Sequence, residues 1–372
     1  MTDSEVRHTD ITILGAGIAG LSLADALLTR GKTAAVVDTG IPGGSSSGAP
    51  LVLINPATGR RAKMVKDAKA CIEYAGDLLK RTATYSGKTF YSENGVLRPA
   101  LTEQLADDFR RSPEKYSWPD PEWIRWVNER EFRTRYPFFG NHYGGLEIPH
   151  AFTVETDKFI QHLTSYLKSR GLKTFFETDY HIQQSVSSPF KIELLSGQKF
   201  TTEIIIYSIG SAIRHTPEWE YLPASYIKGQ LLDLNFAEQL PLQQSISSMG
   251  YFAFNPEKLH RLVAGSTYEH HYDDLKTDKE GKEYLYKKLE NTLPGFKDKD
   301  HTVSMWAGER VSMNDHNPVA GRHPELENKY ILGGFGSKGM IYSRYLAEQL
   351  TNNILDSKPI DPDFNVDRFR KK

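Results

Sequence analysis

The segment DITILGAGIAGLSLADALLTRGKTAAVVD, residues 10–38, decides the fold. An apolar strand at residues 11–14 leads into a glycine-rich turn, and a second strand at residues 34–37 closes the segment. Between them, apolar residues recur at helical spacing: Leu21, Leu23, Ala24, Leu27 and Leu28. The pattern predicts a βαβ unit whose first strand meets its helix through a tight turn.

Each glycine of the turn has a separate predicted role. Gly15 permits the turn, Gly17 allows the backbone to approach a pyrophosphate at the helix N-terminus, and Gly20 allows close packing of helix on strand. Asp38 follows Gly20 by 18 residues, where a carboxylate can accept hydrogen bonds from an adenosine ribose. An acid there disfavours NADP but leaves FAD and NAD open. The predicted dinucleotide contacts are Gly15, Gly17, Ile18, Ala19, Gly20 and Asp38.

Two further segments favour FAD. Residues 40–50 form a loop of small residues, from which Ser46, Ser47 and Gly48 can offer amides and hydroxyls to a cofactor. Residues 330–340 give a second strand and glycine turn, followed by helical periodicity. A helix N-terminus there, with the charge of Lys338, would stabilise negative charge on a reduced flavin. The predicted contacts are Gly334, Gly336, Ser337, Lys338, Gly339 and Met340.

With these motifs, the chain resembles the D-amino-acid oxidase superfamily of FAD-dependent oxidoreductases. It is similar to glycine oxidase, sarcosine oxidase and the oxidase half of the bifunctional tRNA wobble-uridine modifying enzyme. The resemblance extends over nearly the whole chain. It rests on the glycine turn, the Ser-Ser-Gly loop, residues 204–211, Lys228-Gly229-Gln230, Gly308-Glu309-Arg310, residues 318–321 and 334–340, and the terminal Asp367-Arg368-Phe369.

The resemblance implies an α/β fold in which a Rossmann-like FAD-binding domain is discontinuous and a second domain is built on a large antiparallel sheet. The implied FAD-binding domain comprises residues 1–80, 145–215 and 312–372, and the substrate-binding domain comprises residues 81–144 and 216–311. The sequence pattern agrees with this outline. Strands are predicted at 190–195, 231–235, 251–254 and 262–265, and helices near 65–82, 157–170, 279–292 and 342–355.

The resemblance also assigns site residues. It places the backbone of Tyr180 near adenine and adds Ser208 and Gly210 to the cofactor contacts. It makes Arg310 the clamp for a substrate carboxylate, a role suited to the planar fork of a guanidinium. Arg310 and Lys338 are therefore the predicted catalytic residues. The sequence departs from the family pattern beside Arg310, because Glu309 and Val311 replace the usual apolar residue and proline.

Other candidates are weaker. Residues 55–61 carry two arginines, but a solvated helix start is the favoured interpretation. Tyr251 is expected to line the pocket, yet a tyrosine on a sheet usually packs. The aromatic residues between Tyr116 and Phe139 form either a lid or a packed insertion, with Pro119 and Pro121 indicating a loop.

His270, His271 and His316 lack zinc-ligand spacing, so we expect no metal. Cys71 does not lie where the sarcosine oxidases attach flavin, so FAD should be non-covalent.

Composition limits the remaining possibilities. The 372 residues include 46 Lys and Arg against 47 Asp and Glu, which leaves no basic surplus for nucleic acid. The single cysteine excludes an intrachain disulfide framework. The N-terminus lacks a signal-peptide pattern, and no apolar segment approaches the roughly 20 residues that span a bilayer. We therefore expect a cytoplasmic protein without a membrane span.

Three functions are consistent with the sequence. The first is oxidation of the C–N bond of a small amino acid or secondary amine, with oxygen or a quinone as electron acceptor. The second is oxidation of a carboxymethylaminomethyl group in tRNA, for which the neutral overall charge makes nucleic-acid binding a weaker expectation. The third is a flavin-binding or electron-transfer protein without catalysis. An intact Arg310 favours catalysis.

Overall fold

The computed structural model describes residues 8–118, 121–183 and 188–370. The α-helices are α1 (Ile18–Thr29), α2 (Ala68–Ser86), α3 (Glu103–Lys115), α4 (Glu129–Arg135), α5 (Thr156–Ser169), α6 (Lys279–Thr292) and α7 (Gly339–Asp356). Short 3-10 helices lie at Ser46–Gly48, Pro121–Trp123, Gly210–His215, Pro217–Trp219 and Val366–Phe369. None of the helices in these ranges is long and apolar enough to cross a membrane.

The strands are β1 (His8–Leu14), β2 (Ala34–Val37), β3 (Val52–Ile54), β4 (Ala57–Thr58), β5 (Lys63–Met64), β6 (Tyr91–Ser92), β7 (Val96–Pro99), β8 (Arg125–Val127), β9 (Gly145–Ile148), β10 (Phe152–Val154), β11 (Lys173–Phe175), β12 (Tyr180–Ile182), β13 (Phe190–Leu194), β14 (Lys199–Tyr207), β15 (Ala224–Phe236), β16 (Ser245–Ser247), β17 (Tyr251–Phe254), β18 (Arg261–Gly265), β19 (His301–Met313), β20 (Val319–Arg322) and β21 (Lys329–Gly333).

The first large sheet contains the predicted βαβ unit. Its order is β11-β2-β1-β14-β13-β12, with β21 also paired to β14 and β20 to β21. Strands β11, β2, β1, β14 and β21 are parallel where they pair, whereas β12, β13 and β20 add antiparallel ladders. Both faces of β1 and β2 are covered, which explains their apolar sequences.

The second large sheet has the order β19-β15-β18-β17-β16-β7-β9-β8. Its longest ladder joins β15 to β19 from the pair Ala224 and Met313 to the pair Phe236 and His301. The ladders are antiparallel except for the parallel pair of β16 and β7. A three-stranded sheet, β3-β10-β6, and a small hairpin of β4 and β5 complete the described strands.

Asp25 ties the helices of the first layer together. Its carboxylate on α1 is fully buried and accepts hydrogen bonds from Arg81 of α2 at 2.8 and 2.9 Å. Arg170, which caps α5, donates at 3.0 Å, and Arg344 of α7 donates at 2.8 Å. Burial alone would raise the pKa of Asp25, but the hydrogen bonds and charges of Arg81 and Arg344 hold that pKa below its usual value.

The structure confirms the α/β class and the Rossmann-like unit. The predicted helices and strands are present with shifts at their ends, the largest at β15, which begins at Ala224 rather than at residue 231. The prediction that a helix starts at residues 55–61 is wrong, because β4 and β5 form a hairpin there. The domain boundaries stay a prediction. Strand β9, placed by that prediction at the start of a cofactor-binding segment, pairs with β7 and β8 in the second sheet.

Candidate active site

The glycine turn between β1 and α1 is built by close backbone contacts. Gly15 has a φ of +102°, and a Cβ at this position would lie 2.3 Å from the carbonyl oxygen of Ser208. A Cβ at Gly20 would lie 2.0 Å from the carbonyl oxygen of Gly15. Both distances are far below van der Waals contact, so the turn, the helix and strand β14 can meet only where these side chains are absent.

Polar side chains fix the loops around this turn. Asp38 accepts hydrogen bonds from the backbone N–H of Ala16 at 2.6 Å and of Gly40 at 2.8 Å. Ser47 accepts one from the N–H of Ile18, in the first turn of α1, at 3.1 Å. The acidic residue and the Ser-Ser-Gly loop therefore both lie at the N-terminal end of α1, as the predicted dinucleotide site requires.

One cavity of about 1010 Å³ unites most of the predicted cofactor residues. Its volume reaches the upper end of the range for small-molecule and cofactor sites. The predicted residues that line it are Gly15, Gly17, Ile18, Ala19, Asp38, Ser46, Ser47, Tyr180, Ser208, Gly210, Gly334, Gly336, Ser337, Lys338, Gly339 and Met340. Gly20 and Gly48 do not line the cavity. Both pack against backbone instead. A Cβ at Gly20 would meet the Gly15 carbonyl oxygen, as described above, and a Cβ at Gly48 would lie 2.6 Å from the Gly43 carbonyl oxygen.

The N-terminus of α7 lies at the same cavity. Gly334 and Gly336 adopt left-handed φ values of +67° and +57°, which turn the chain from β21 into the helix. Lys338 is the N-cap residue, and its ammonium donates a hydrogen bond to the His316 carbonyl at 2.8 Å. Burial and the charge of Lys63 lower the pKa of Lys338. The proposed effect of this lysine on a flavin stays a prediction.

Arg310 forms part of the opposite wall, on β19. Its Nη2 donates to the Ser266 hydroxyl at 2.6 Å, and its guanidinium carbon lies 4.8 Å from the ring centroid of Tyr268. Among the described residues, no carboxylate lies within ion-pair distance of Arg310. Gly229 leaves room for this guanidinium, since a Cβ there would lie 2.3 Å from Nη2.

Arg310 lines the cavity although its neighbours, Glu309 and Val311, depart from the family pattern. Glu309 is buried and pairs with Arg214 and Tyr272. Glu309 does not line the cavity, and because successive side chains of a strand point to opposite faces, its carboxylate lies on the opposite face of β19 from Arg310. The carboxylate is satisfied by partners of its own and does not compete for Arg310.

Several lining residues were not predicted. Trp306 lies on the same face of β19 as Arg310. The two are four positions apart, and because residues an even number apart on a strand share a face, this spacing could have predicted Trp306. Ser266, Tyr268 and Lys288 come from the segment after β18 and from α6, where no local motif indicates a site.

Tyr251 lines the cavity as expected, and burial raises its pKa. Arg60, in the stretch considered for the flavin face, also lines the cavity, although its side chain is exposed.

The aromatic insertion packs rather than lining this cavity. Trp123 and Phe139 are buried, and Phe132, Tyr136 and Phe139 form close ring contacts. Pro119 lies outside the described residues, and Pro121 begins a 3-10 helix. No cluster of three potential metal ligands occurs in the described ranges, which contain His270, His271 and His316.

Ser208 provides a test of whether this cavity suits a cofactor. Its hydroxyl is buried and has no hydrogen-bond partner within the described structure, although the residue lines the cavity. A buried hydroxyl without a partner costs free energy, so a polar ligand beside it restores a lost hydrogen bond. Together with the backbone cradle at Gly15 and the helix N-terminus at residues 337–340, this fits a dinucleotide cofactor.

The fold and this cavity define a flavin-dependent oxidoreductase. The sequence matches the family described as "DAO: FAD dependent oxidoreductase" over residues 10–353. The chain belongs to this family, and its cofactor is FAD.

Two groups of curated relatives are similar along nearly the whole chain. The tRNA 5-methylaminomethyl-2-thiouridine biosynthesis bifunctional protein of Acinetobacter baylyi is 25% identical over 97% of this chain and 56% of its own length. The chain thus spans about half the length of the first curated relatives it matches. Glycine oxidase of Bacillus subtilis is 23% identical over 97% of this chain and 98% of its own length.

Solved structures show the same fold. Glycine oxidase from Geobacillus kaustophilus superposes with a TM-score of 0.85 at 21% identity, covering 99% of this chain and 100% of that chain. L-proline dehydrogenase from P. horikoshii superposes with a TM-score of 0.80 at 17% identity, covering 96% of both chains. At these identities the likeness establishes the architecture and leaves the substrate open.

Proposed function

We propose that the protein oxidises the C–N bond of an amino acid or a secondary amine that carries a carboxylate. One observation carries the proposal: Arg310 lines the cofactor cavity and has no carboxylate partner among the described residues. A guanidinium presented to a cavity in this way is suited to a bidentate pair with a ligand carboxylate.

Arg310 would act by orientation. A carboxylate held by its fork fixes the α-carbon of the substrate relative to the cofactor, and such positioning lowers the barrier without a strong base. When bound, FAD supplies the two-electron acceptor for the hydride that leaves the α-carbon. The resulting imine of the substrate is hydrolysed by water.

The other wall would hold the cofactor. The turn at Gly15, the hydroxyls of Ser46, Ser47 and Ser208, and the Asp38 carboxylate suit its phosphate and ribose groups. The backbone amides at the start of α7 suit the negative charge that develops on reduction, with Lys338 as a further positive charge.

We further propose that FAD is bound without a covalent link to cysteine. Cys71 is fully buried on α2, away from the residues that line the cavity, and burial raises its pKa. We propose oxygen or a quinone as the electron acceptor. We also propose that the first sheet belongs to a discontinuous FAD-binding domain and the second to a substrate-binding domain.

A tRNA-borne substrate is the second candidate. It is favoured by the similarity to the bifunctional tRNA-modifying proteins over 97% of the chain. Tyr268 and Tyr284 line the same cavity yet are 58% and 49% exposed, and exposed aromatic rings can stack on unpaired bases.

Anaerobic titration of the purified yellow protein tests the proposal. Amino acids and N-alkyl glycines are added in turn while the flavin absorption band is recorded. Bleaching by a member of this panel supports the small-molecule function. Bleaching only by tRNA bearing the carboxymethylaminomethyl group supports the second candidate, and a flavin that neither reduces contradicts both.

A further inference from the structure

Lys288 is a buried cation in the wall of the cavity. It lies on α6 and is only 5% exposed. Its ammonium donates to the Ser266 carbonyl at 2.9 Å and lies 4.5 Å from the ring centroid of Tyr284. An ammonium has three donor protons, so two are left for a ligand. Within the ranges that the structure describes, no carboxylate lies within ion-pair distance of Lys288.

Lys228 is a buried lysine that does not line the cavity, and it offers a comparison with Lys288. It is 4% exposed, and its ammonium lies 3.4 Å from both the Glu269 and the Asp278 carboxylates. Burying an ammonium without an opposite charge is costly. The contrast between the two lysines indicates that the counter-charge for Lys288 comes from a ligand.

Lys288 and Arg310 are held by one residue. The Ser266 carbonyl accepts from Lys288 Nζ, and the Ser266 hydroxyl accepts from Arg310 Nη2 at 2.6 Å. Both cations line the cavity. Burial lowers the pKa of Lys288, and the charge of Arg310 lowers it further. A second anionic group on the ligand would offset the cost of burying the Lys288 ammonium and the repulsion between the two cations.

We propose that Arg310 and Lys288 form a paired cationic site and that the substrate is an amine or amino acid with two carboxylates. Arg310 binds the carboxylate beside the oxidised carbon, and Lys288 binds the second carboxylate. Lys288 is therefore a specificity-determining residue. This inference rests on the proposed function, because it assigns the substrate class of the same site.

Binding of inert acids to the FAD-loaded protein tests the inference without turnover. Each pair has one chain length and differs by one carboxylate: butyrate against succinate, and valerate against glutarate. Calorimetry and the shift of the flavin spectrum report the Kd. We expect at least one dicarboxylate to bind about tenfold or more tightly than its partner, the scale of one charge-assisted hydrogen bond.

Three variants locate the effect. Lys288→Gln keeps a donor for the Ser266 carbonyl but removes the charge, and we expect it to abolish the preference for dicarboxylates. Lys288→Arg should retain a preference. Lys287→Gln, at the exposed neighbouring position, is the control and should behave as the wild type.

Either of two results overturns the inference: a wild type without preference for dicarboxylates, or a Lys288→Gln variant that keeps it. The wild-type comparison holds even if a variant fails to fold. A protein that prefers dicarboxylates but oxidises no amine contradicts the proposed function alone. One that oxidises amino acids without preferring dicarboxylates contradicts this inference alone.

Discussion

The two walls of the cavity are built by different means. The wall at β1, α1 and α7 is largely backbone, shaped by glycine turns and helix N-termini. The wall at β15, β17, β18, β19 and α6 consists of side chains, among them Tyr251, Ser266, Lys288 and Arg310. The first wall suits a constant ligand, whose phosphates bind N–H groups. The second depends on the identity of individual side chains, so we propose that it determines the choice of substrate.

Gly15→Val should break the backbone wall and gives the largest expected effect on the cavity. Its Cβ would lie 2.3 Å from the Ser208 carbonyl oxygen, at a φ that β-branched residues avoid. Strain and overlap together cost about 4 kcal/mol, which is roughly a thousandfold in FAD affinity. The protein should purify colourless, and absorbance after FAD addition measures the loss.

Gly31→Ala is the control for that change. Gly31 also has a positive φ, +72°, but nothing lies within 4 Å of a Cβ there. We expect a loss of stability of about 1 kcal/mol with FAD retained. A Gly15→Val protein that binds FAD as the wild type does would show that the turn does not form the cofactor wall.

Asp25→Asn should weaken the helices behind the backbone wall. It leaves Arg81, Arg170 and Arg344 without their shared charge, and breaking a buried ion pair costs about 3–5 kcal/mol. Because the pKa of Asp25 is held low, its contribution is present above the unfolded pKa of about 3.9 and is lost as the pH falls. Urea unfolding at pH 7 and at about pH 3 compares the loss of unfolding free energy in Asp25→Asn, which should be smaller in acid.

Asp77→Asn provides the matched comparison, since Asp77 also pairs with Arg81 but is 60% exposed. Asp77→Asn should lower the free energy of unfolding by less than about 0.5 kcal/mol. Equal effects of the two substitutions would contradict a special role for the buried carboxylate.

Gly229→Ala should disturb the side-chain wall alone and gives a smaller effect than Gly15→Val or Asp25→Asn. The added Cβ would displace the Arg310 guanidinium, which is flexible enough to move. We expect about a tenfold rise in KM for a carboxylate-bearing substrate, with FAD content unchanged. In an Arg310→Gln background the same change should add nothing, and an additive loss would show that Gly229 acts elsewhere.

The two walls also differ in how far the sequence predicts them. The backbone wall was predicted nearly residue by residue, because Gly15, Gly17 and Asp38 lie in one continuous motif with a local physical reason for each. Of the other wall only Arg310 was predicted as a site residue, and that by resemblance. Lys288 and Ser266 are brought together by packing of α6 against β15 and β18, and no local pattern encodes that contact. The hairpin at β4 and β5 was missed because each of its strands has only two residues, too few to show an alternating pattern.

The most direct test of the central claim compares glycine or the best amino acid of the panel with its carboxamide, in the wild type and in Arg310→Gln. The measurement is the rate constant of anaerobic flavin reduction. The wild type should reduce at least a hundredfold faster with the acid, and Arg310→Gln should lose that preference while keeping FAD. A wild type that accepts both equally, or a variant that still prefers the acid, would contradict the assignment of Arg310 as the carboxylate clamp.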